Sequence, residues 1–339
     1  MALWEIRHAT RVAGLVRSSI KMALLRGGLD DHLLKELVEP KSVDDLVAGR
    51  ASDPELMQAW LRAAEAAGLV ARRGDTYAAT PFVRWILETE RGDAARAVLE
   101  GATEAYGPVL GRYPEILRTG DRPTWVGDPE TAQRVARASR VAESRALRAL
   151  HRIPGVRSAR RFLDIGCGEG AYLQNLLERH RDSIGDGVEL DAGVAERARA
   201  RLQRSGVGRR SEIHIGDFTE MALPHGTYDL ALLNNNLYYF GEDEREGLFR
   251  RILEHLSPKG ILAIQCPVVS DDAFSKLFGM RPAITSFDAF LRVHTDLAGL
   301  PRPDQLNDQL RDAGFSATGT VPIVPGGALR YVWARKPTR

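Results

Sequence analysis

The sequence predicts a doubly wound α/β fold carried behind a mainly helical N-terminal domain, and three observations predict it. An apolar run, Arg161-Phe162-Leu163-Asp164-Ile165, ends in glycines at alternate positions, Gly166, Gly168 and Gly170, with an amphipathic stretch from Ala171 directly after. Further short apolar runs then alternate with helical patterns, the order of a parallel sheet covered by helices. About the first ninety residues obey a different grammar, helices followed by one short hairpin.

Taken in order, apolar residues at helical spacing predict a helix from Ala9 to Leu25. Ser42-Val43-Asp44-Asp45 opens a short capped helix, and Asp53-Pro54-Glu55 opens another that reaches Ala67. Val70 to Ala78 reads as a hairpin turning at Gly74-Asp75 and closed by Thr80-Pro81. Helix, helix, hairpin is a winged-helix layout, which binds DNA in many proteins. Its would-be recognition helix, Glu55 to Ala67, sets one arginine against two glutamates among Leu, Trp and Ala. Such a surface suits protein packing better than phosphate. Residues 1–92 are therefore read as a winged-helix-like domain for dimerisation or for supporting a lid. Residues 93–152 form a helical segment: Ala94 to Tyr106, a Gly/Pro-rich stretch to Pro129, and a long helix from Glu130 to Leu150. Ile153-Pro154-Gly155 leads into the cofactor domain, residues 153–339.

Glycine lets the backbone turn tightly beside a ligand, and the following helix offers unpaired N–H groups, so the loop is a nucleotide-type cofactor site. Gly166-x-Gly168-x-x-Ala171 also satisfies the dinucleotide fingerprint. Asp164 argues for a different ligand, because a carboxylate at the strand end repels a pyrophosphate but suits a cationic amino-acid group. The second strand ends at Glu189, just over twenty residues beyond Gly166, where a carboxylate accepts ribose hydroxyls, with Leu190 beside it. Asp191 is the N-cap of a helix from Ala192 to Leu202. Ile213 to Phe218 holds the third strand, Tyr228 to Asn234 is a buried fourth, and Leu256 to Gly260 turns into a fifth, Ile261 to Ile264.

These landmarks together resemble the class I S-adenosylmethionine (SAM) dependent methyltransferases, whose first motif is an acid followed by x-Gly-x-Gly-x-Gly. The layout ahead of them resembles the bacterial small-molecule O-methyltransferases of the plant-like type. The resemblance implies an α/β, Rossmann-like, seven-stranded methyltransferase sheet with an N-terminal winged-helix domain used for dimerisation. It implies SAM as cofactor, held by Asp164, Gly166, Gly168, Gly170, Glu189, Leu190 and Asn234. It further implies that Asp217 accepts from the adenine amino group, that Phe218 packs on the ring, and that residues 93–152 wall a substrate pocket.

Plant-like relatives carry a His-Asp-Trp run after strand four, and its histidine is their base. Here Tyr238-Tyr239-Phe240 stands in that place. His294 is the replacement candidate: of eight histidines it alone lies in the long segment Pro267 to Pro301 after the fifth strand. His8, His32, His151 and His180 lie away from the predicted active face, His214 lies in strand three, and His225 and His255 flank strand four. A phenol or alcohol needs a base because its proton is held tightly, a phenol titrating near ~10. Tyr238 and Asn235 are the other catalytic candidates. Arg122 is a candidate grip for a substrate carboxylate, and Trp125 and Tyr239 are candidate stacking surfaces. No metal is assigned, although His294 with Glu242 or Asp243 offers an N/O set.

A formal net charge of +2 gives no global case for nucleic acid or an acidic membrane surface. No apolar run has membrane-spanning length and the N-terminus lacks a signal-peptide core, so a cytoplasmic location is expected. Cys167 and Cys266, the only cysteines, imply neither a disulfide framework nor a thiolate metal site. The expected function is methyl transfer from SAM to a small molecule, O-methylation in secondary metabolism. The alternatives are C-methylation of an α-keto acid or enolisable carbon, metal-assisted or not, and a SAM-responsive DNA-binding regulator.

Overall fold

The computed structural model describes residues 3–125, 134–135, 137–223, 227–269 and 280–338. Two compact units are present, residues 1–100 and 101–339. Asp128-Pro129, the start of the helix expected from Glu130, and His225 lie outside the described residues.

The first unit contains α1 (Leu3–Asp30), α2 (Leu33–Glu36), β1 (Lys41–Ser42), α3 (Val43–Arg50), α4 (Pro54–Ala66), β2 (Val70–Arg73), β3 (Thr76–Ala79), α5 (Pro81–Glu88) and α6 (Glu90–Gly101). Ser42 and Asp45 cap α3 reciprocally, the Asp45 amide donating to Ser42 Oγ at 3.1 Å and the Ser42 amide to Asp45 Oδ2 at 3.0 Å. Asp53 caps α4 through the amides of Glu55 and Leu56, with Pro54 in the first turn. The hairpin β2–β3 turns at Gly74, whose φ of +60° suits a residue without Cβ. Its strands join β1 in the order β1-β3-β2 over a core of Leu34, Leu37, Leu46, Leu61, Leu69 and Val83.

The second unit begins with a π-helical turn, Ala102–Tyr106, then α7 (Gly107–Gly111) and α8 (Tyr113–Thr119). The helix expected to run unbroken to Leu150 is interrupted by a 3₁₀ turn, Arg140–Ala142, before α9 (Glu143–Leu150). The sheet and its cover follow: β4 (Arg161–Ile165), α10 (Ala171–Arg179), β5 (Ile184–Glu189), α11 (Ala192–Arg204), β6 (Ser211–Ile215), β7 (Tyr228–Asn234), α12 (Arg245–His255), β8 (Leu256–Pro267), α13 (Met280–Val293), α14 (Pro303–Asp312), β9 (Ala317–Pro322) and β10 (Leu329–Arg335).

The seven strands lie in the order β6-β5-β4-β7-β8-β10-β9, with β10 antiparallel to both its neighbours and the other pairings parallel. The chain starts at β4, builds outward to β6, then returns to the other side of β4. That reversal opens a crevice beyond the carboxyl ends of β4 and β7. Alternation fixes the two faces: Phe162, Leu230, Leu232, Ile261 and Ala263 pack beneath α9, α10 and α11, while Leu163, Ala231, Leu233, Leu262 and Ile264 pack beneath α12 and α14. The fifth strand is longer than expected. Leu256 to Gly260 is a bulge within β8, marked by Lys259 at φ +65° and a register shift opposite Tyr228. Inside the segment after β8 stands α13, which the sequence reading left without structure.

Leu232 sits at the centre of the sheet and is fully buried. Leu232→Ala is expected to lower unfolding free energy by about 2–5 kcal/mol, measured by urea denaturation with SAM absent.

Candidate active site

The crevice at the switch point is built by the loop after β4. Gly166, Gly168 and Gly170 all take positive φ, +64°, +55° and +76°. A Cβ at Gly166 would stand 2.3 Å from Asn236 Nδ2, so Gly166 is needed for the close approach of the β7 loop. Gly168 has nothing within 4 Å of its would-be Cβ and leaves its face open. The cleft is lined by the glycine loop, Ser139, Arg140, Glu143, Asn234 and Asn235.

Asp164 lines this cleft at 1% exposure, and neither of its carboxylate oxygens has a hydrogen-bond partner. Burial pushes its carboxyl up to about 8; the charge of Glu189 adds to the shift, and the amide of Asn234 opposes it. Glu189 accepts from the Gly168 amide at 2.9 Å and from the Asp191 amide at 3.1 Å, so the end of β5 is stitched to the glycine loop. Asp191 caps α11 by accepting from Val194 at 2.7 Å. On the cleft rim Glu169 pairs with Arg140 and Arg197 at 3.5 and 3.2 Å.

Beneath the cleft runs a buried polar row that the sequence reading missed. Tyr172 and Tyr331 both donate to Gln265 Oε1, at 2.7 and 3.2 Å, and Tyr331 also reaches Asn234 Oδ1 at 3.3 Å. Asn234, Gln265 and Tyr331 are direct cross-strand partners on β7, β8 and β10. The Asn234 amide nitrogen is left buried and unpartnered on the Asp164 side of the row. Asn235 takes φ +56° and donates its amide to Gln265 O at 2.8 Å, while Asn236 Nδ2 donates to Ile165 O at 2.6 Å. Asn236 thus ties the end of β7 to β4, while Asn234 and Asn235 tie it to Tyr331 of β10 and Gln265 of β8. Only an alternating polar position inside an apolar strand, Gln265, could have signalled this row.

Two site expectations need correction. Phe218 does not face the cleft: at 3% exposure it packs in the core against the rings of His255 and the guanidinium of Arg251. The exposed apolar side chains nearby are Leu190 and Ile215, at the ends of β5 and β6. Asp217 is exposed and accepts from the amide and hydroxyl of Thr219, both at 2.7 Å. Arg122 is not presented to the cleft either. Its guanidinium donates to Arg292 O at 2.9 Å, to Val293 O at 3.3 Å and to His294 O, the last carbonyls at the end of α13.

The remaining candidates meet in one aromatic cluster. Tyr238 (7% exposed), in the turn after the asparagines, packs on Phe287 and Tyr239 with ring centroids 5.8 and 5.0 Å apart. Tyr106, brought inward by the π-turn, meets Phe290 at 4.4 Å. Trp125 meets Phe290 at 5.1 Å and His294 at 5.5 Å. His294 is 1% exposed, and its Nδ1 lies 2.7 Å from Phe290 O, a contact in which Nδ1 donates to the carbonyl. Burial holds the Tyr238 hydroxyl well above the ordinary phenol range. Tyr238 is a packing ring of this cluster. Among the described residues the one group with metal-ligand spacing is Asp186, Glu212 and His214 on β5 and β6; it does not include His294, Glu242 or Asp243.

The residues of the cleft fit SAM. An unpartnered buried carboxylate suits a cationic amino-acid end, the open face of Gly168 admits close approach, and Glu189 stands beyond it for a ribose. Asp164 has a stability signature without ligand. An acid whose folded-state pKa is raised costs stability as pH climbs from near its ordinary value toward about 8. Asp164→Asn is expected to melt higher than the parent above about pH 8, and that advantage should shrink steadily toward about pH 4 in ligand-free thermal scans.

Comparison with known proteins agrees with this geometry. The methyltransferase domain family matches residues 162–260, the stretch from β4 into β8. Demethylspheroidene O-methyltransferase of Cereibacter sphaeroides is 27% identical over 93% of this chain and 82% of its own length. The tetracenomycin polyketide synthesis 8-O-methyl transferase TcmO of Streptomyces glaucescens is 26% identical, covering 88% of each chain. Among solved structures, an O-methyltransferase family protein from Burkholderia thailandensis superposes with a TM-score of 0.79 at 20% identity, covering 97% of this chain and 98% of that one. The switch-point cleft, its buried carboxylate and the methyltransferase domain identify a SAM-dependent methyltransferase, similar along most of its length to bacterial small-molecule O-methyltransferases.

Proposed function

We propose that the protein methylates a hydroxyl of a small aromatic acceptor, with His294 as the general base. The observation that carries this reading is the locked imidazole: Nδ1 is committed to Phe290 O, and Nε2 takes no hydrogen bond from any described residue. Relatives that act on demethylspheroidene and in tetracenomycin synthesis support transfer to oxygen.

When bound, SAM supplies a methyl group on a sulfonium, which leaves without acid assistance. Asp164 would hold the cationic amino-acid end as its counter-charge, and Arg140, also lining the cleft, would offer a charge to the carboxylate. Gly166, Gly168 and Gly170 would give backbone access, Glu189 would accept the ribose hydroxyls, and Asp217 and Leu190 would serve the adenine. Asn234 and Asn235 tie the carboxyl end of β7 to Tyr331 and Gln265, and Asn236 ties it to Ile165 just before the glycine loop, which keeps the cleft rigid. Tyr238, Tyr239 and Trp125 pack on the acceptor ring and exclude water. His294 Nε2 takes the hydroxyl proton as the oxygen becomes nucleophilic.

The N-terminal unit is read as a winged-helix domain used for homodimerisation, not DNA binding. Val12, Leu15, Val16 and Ile20 form an exposed apolar stripe along α1 at helical spacing, a surface suited to a second copy. The domain division at residues 92 and 152 belongs to the same reading, as does a cytoplasmic enzyme of secondary metabolism. No helix among the described residues is long and apolar enough to cross a membrane.

His294→Asn is expected to cut kcat by about a hundredfold or more while leaving SAM affinity unchanged, measured with a phenol panel by mass spectrometry of the product. Retained turnover in that variant, or methyl groups found on carbon, would count against the proposal.

A further inference from the structure

The Arg122 guanidinium stands where a substrate grip was expected, yet it is spent on three backbone carbonyls. Those carbonyls belong to Arg292, Val293 and His294, the end of α13. A helix end carries partial negative charge on its unpaired carbonyls, and that charge favours the protonated form of a histidine beside it. A protonated imidazole accepts nothing. The fold therefore places the base candidate at a helix terminus unfavourable to its work, and a permanently charged side chain covers that terminus.

We infer that Arg122 is a positioning residue that keeps His294 in its proton-accepting form by neutralising the carboxyl end of α13. The inference rests on the reading of His294 as base. The same segment also fixes the ring. Thr295 donates its amide to Pro123 O at 3.0 Å, and Trp125 donates its amide to both oxygens of Asp296, at 2.8 and 2.9 Å. The Trp125 ring then meets the imidazole edge-on. Arg292 pairs with Asp288 at 3.0 Å, and Asp288 also accepts from the Leu300 amide. Asp296 is the nearest further carboxylate in the chain, and its bonds to the Trp125 amide hold it in the same clamp. Arg245 of α12 donates to Gly299 O at 3.0 Å, and Tyr106, Tyr238 and Tyr239 present phenols.

The test separates charge from hydrogen bonding. Arg122→Gln keeps donors for the carbonyls and removes the charge; Arg122→Lys keeps the charge and loses the planar fork. In pH profiles of kcat/KM, Arg122→Gln should move the acid limb upward by about half a pH unit or more, with SAM affinity unchanged. Arg122→Lys should leave the limb near that of the parent while lowering kcat. A residue that only held the loop would lower kcat in both variants without moving the limb. That result, with His294→Asn still inactive, overturns the role of Arg122 alone. Parent-level turnover in His294→Asn overturns the base itself and this inference with it.

Discussion

A buried carboxylate without a partner organises this molecule. Asp164 lies at the end of the central strand where the strand order reverses, and no well-formed hydrogen bond reaches its oxygens, the Asn234 amide alone favouring its charged form. An isolated buried charge is costly, so the group takes up a proton instead, and its carboxyl titrates near about 8. The surrounding devices preserve that condition. Glu189 is held close by the Gly168 and Asp191 amides, and the Tyr172–Gln265–Tyr331–Asn234 row seals the floor. A cation entering the cleft completes what the fold leaves open.

The second half of the site follows a different logic. The cofactor wall is backbone, glycine and strand ends, all fixed by sheet register. Beside it stands a packed aromatic cluster assembled from the π-turn, the turn after β7, the segment around Trp125 and α13. The orientation of His294 depends on that cluster: Phe290 supplies both the carbonyl that holds Nδ1 and the ring beside it.

The cofactor half was legible from sequence because it is local. Asp164, the three glycines and Glu189 lie within one strand–loop–helix–strand unit, and the Asp191 cap follows directly. The two turns of the N-terminal unit, at Ser42 and Gly74, were legible for the same reason. Phe218 was misread because its position one residue after Asp217 says nothing about which side of the loop it faces, and the core claimed it. Arg122 was misread because its partners lie 170 to 172 residues away. The helix α13 carries Ile284, Phe287, Phe290 and Leu291 at helical spacing, but Pro282 near its start obscured the signal. Tyr172, Gln265 and Tyr331 each look ordinary alone, and only strand pairing puts them in one row.

The central claim is that SAM binding meets a carboxylic acid that must lose its proton to become the counter-charge. Calorimetric titration of SAM at about pH 7, in buffers of different ionisation enthalpy, counts that proton. The account predicts that the parent releases about one more proton per site than Asp164→Asn does. Equal proton counts in the two proteins would contradict it.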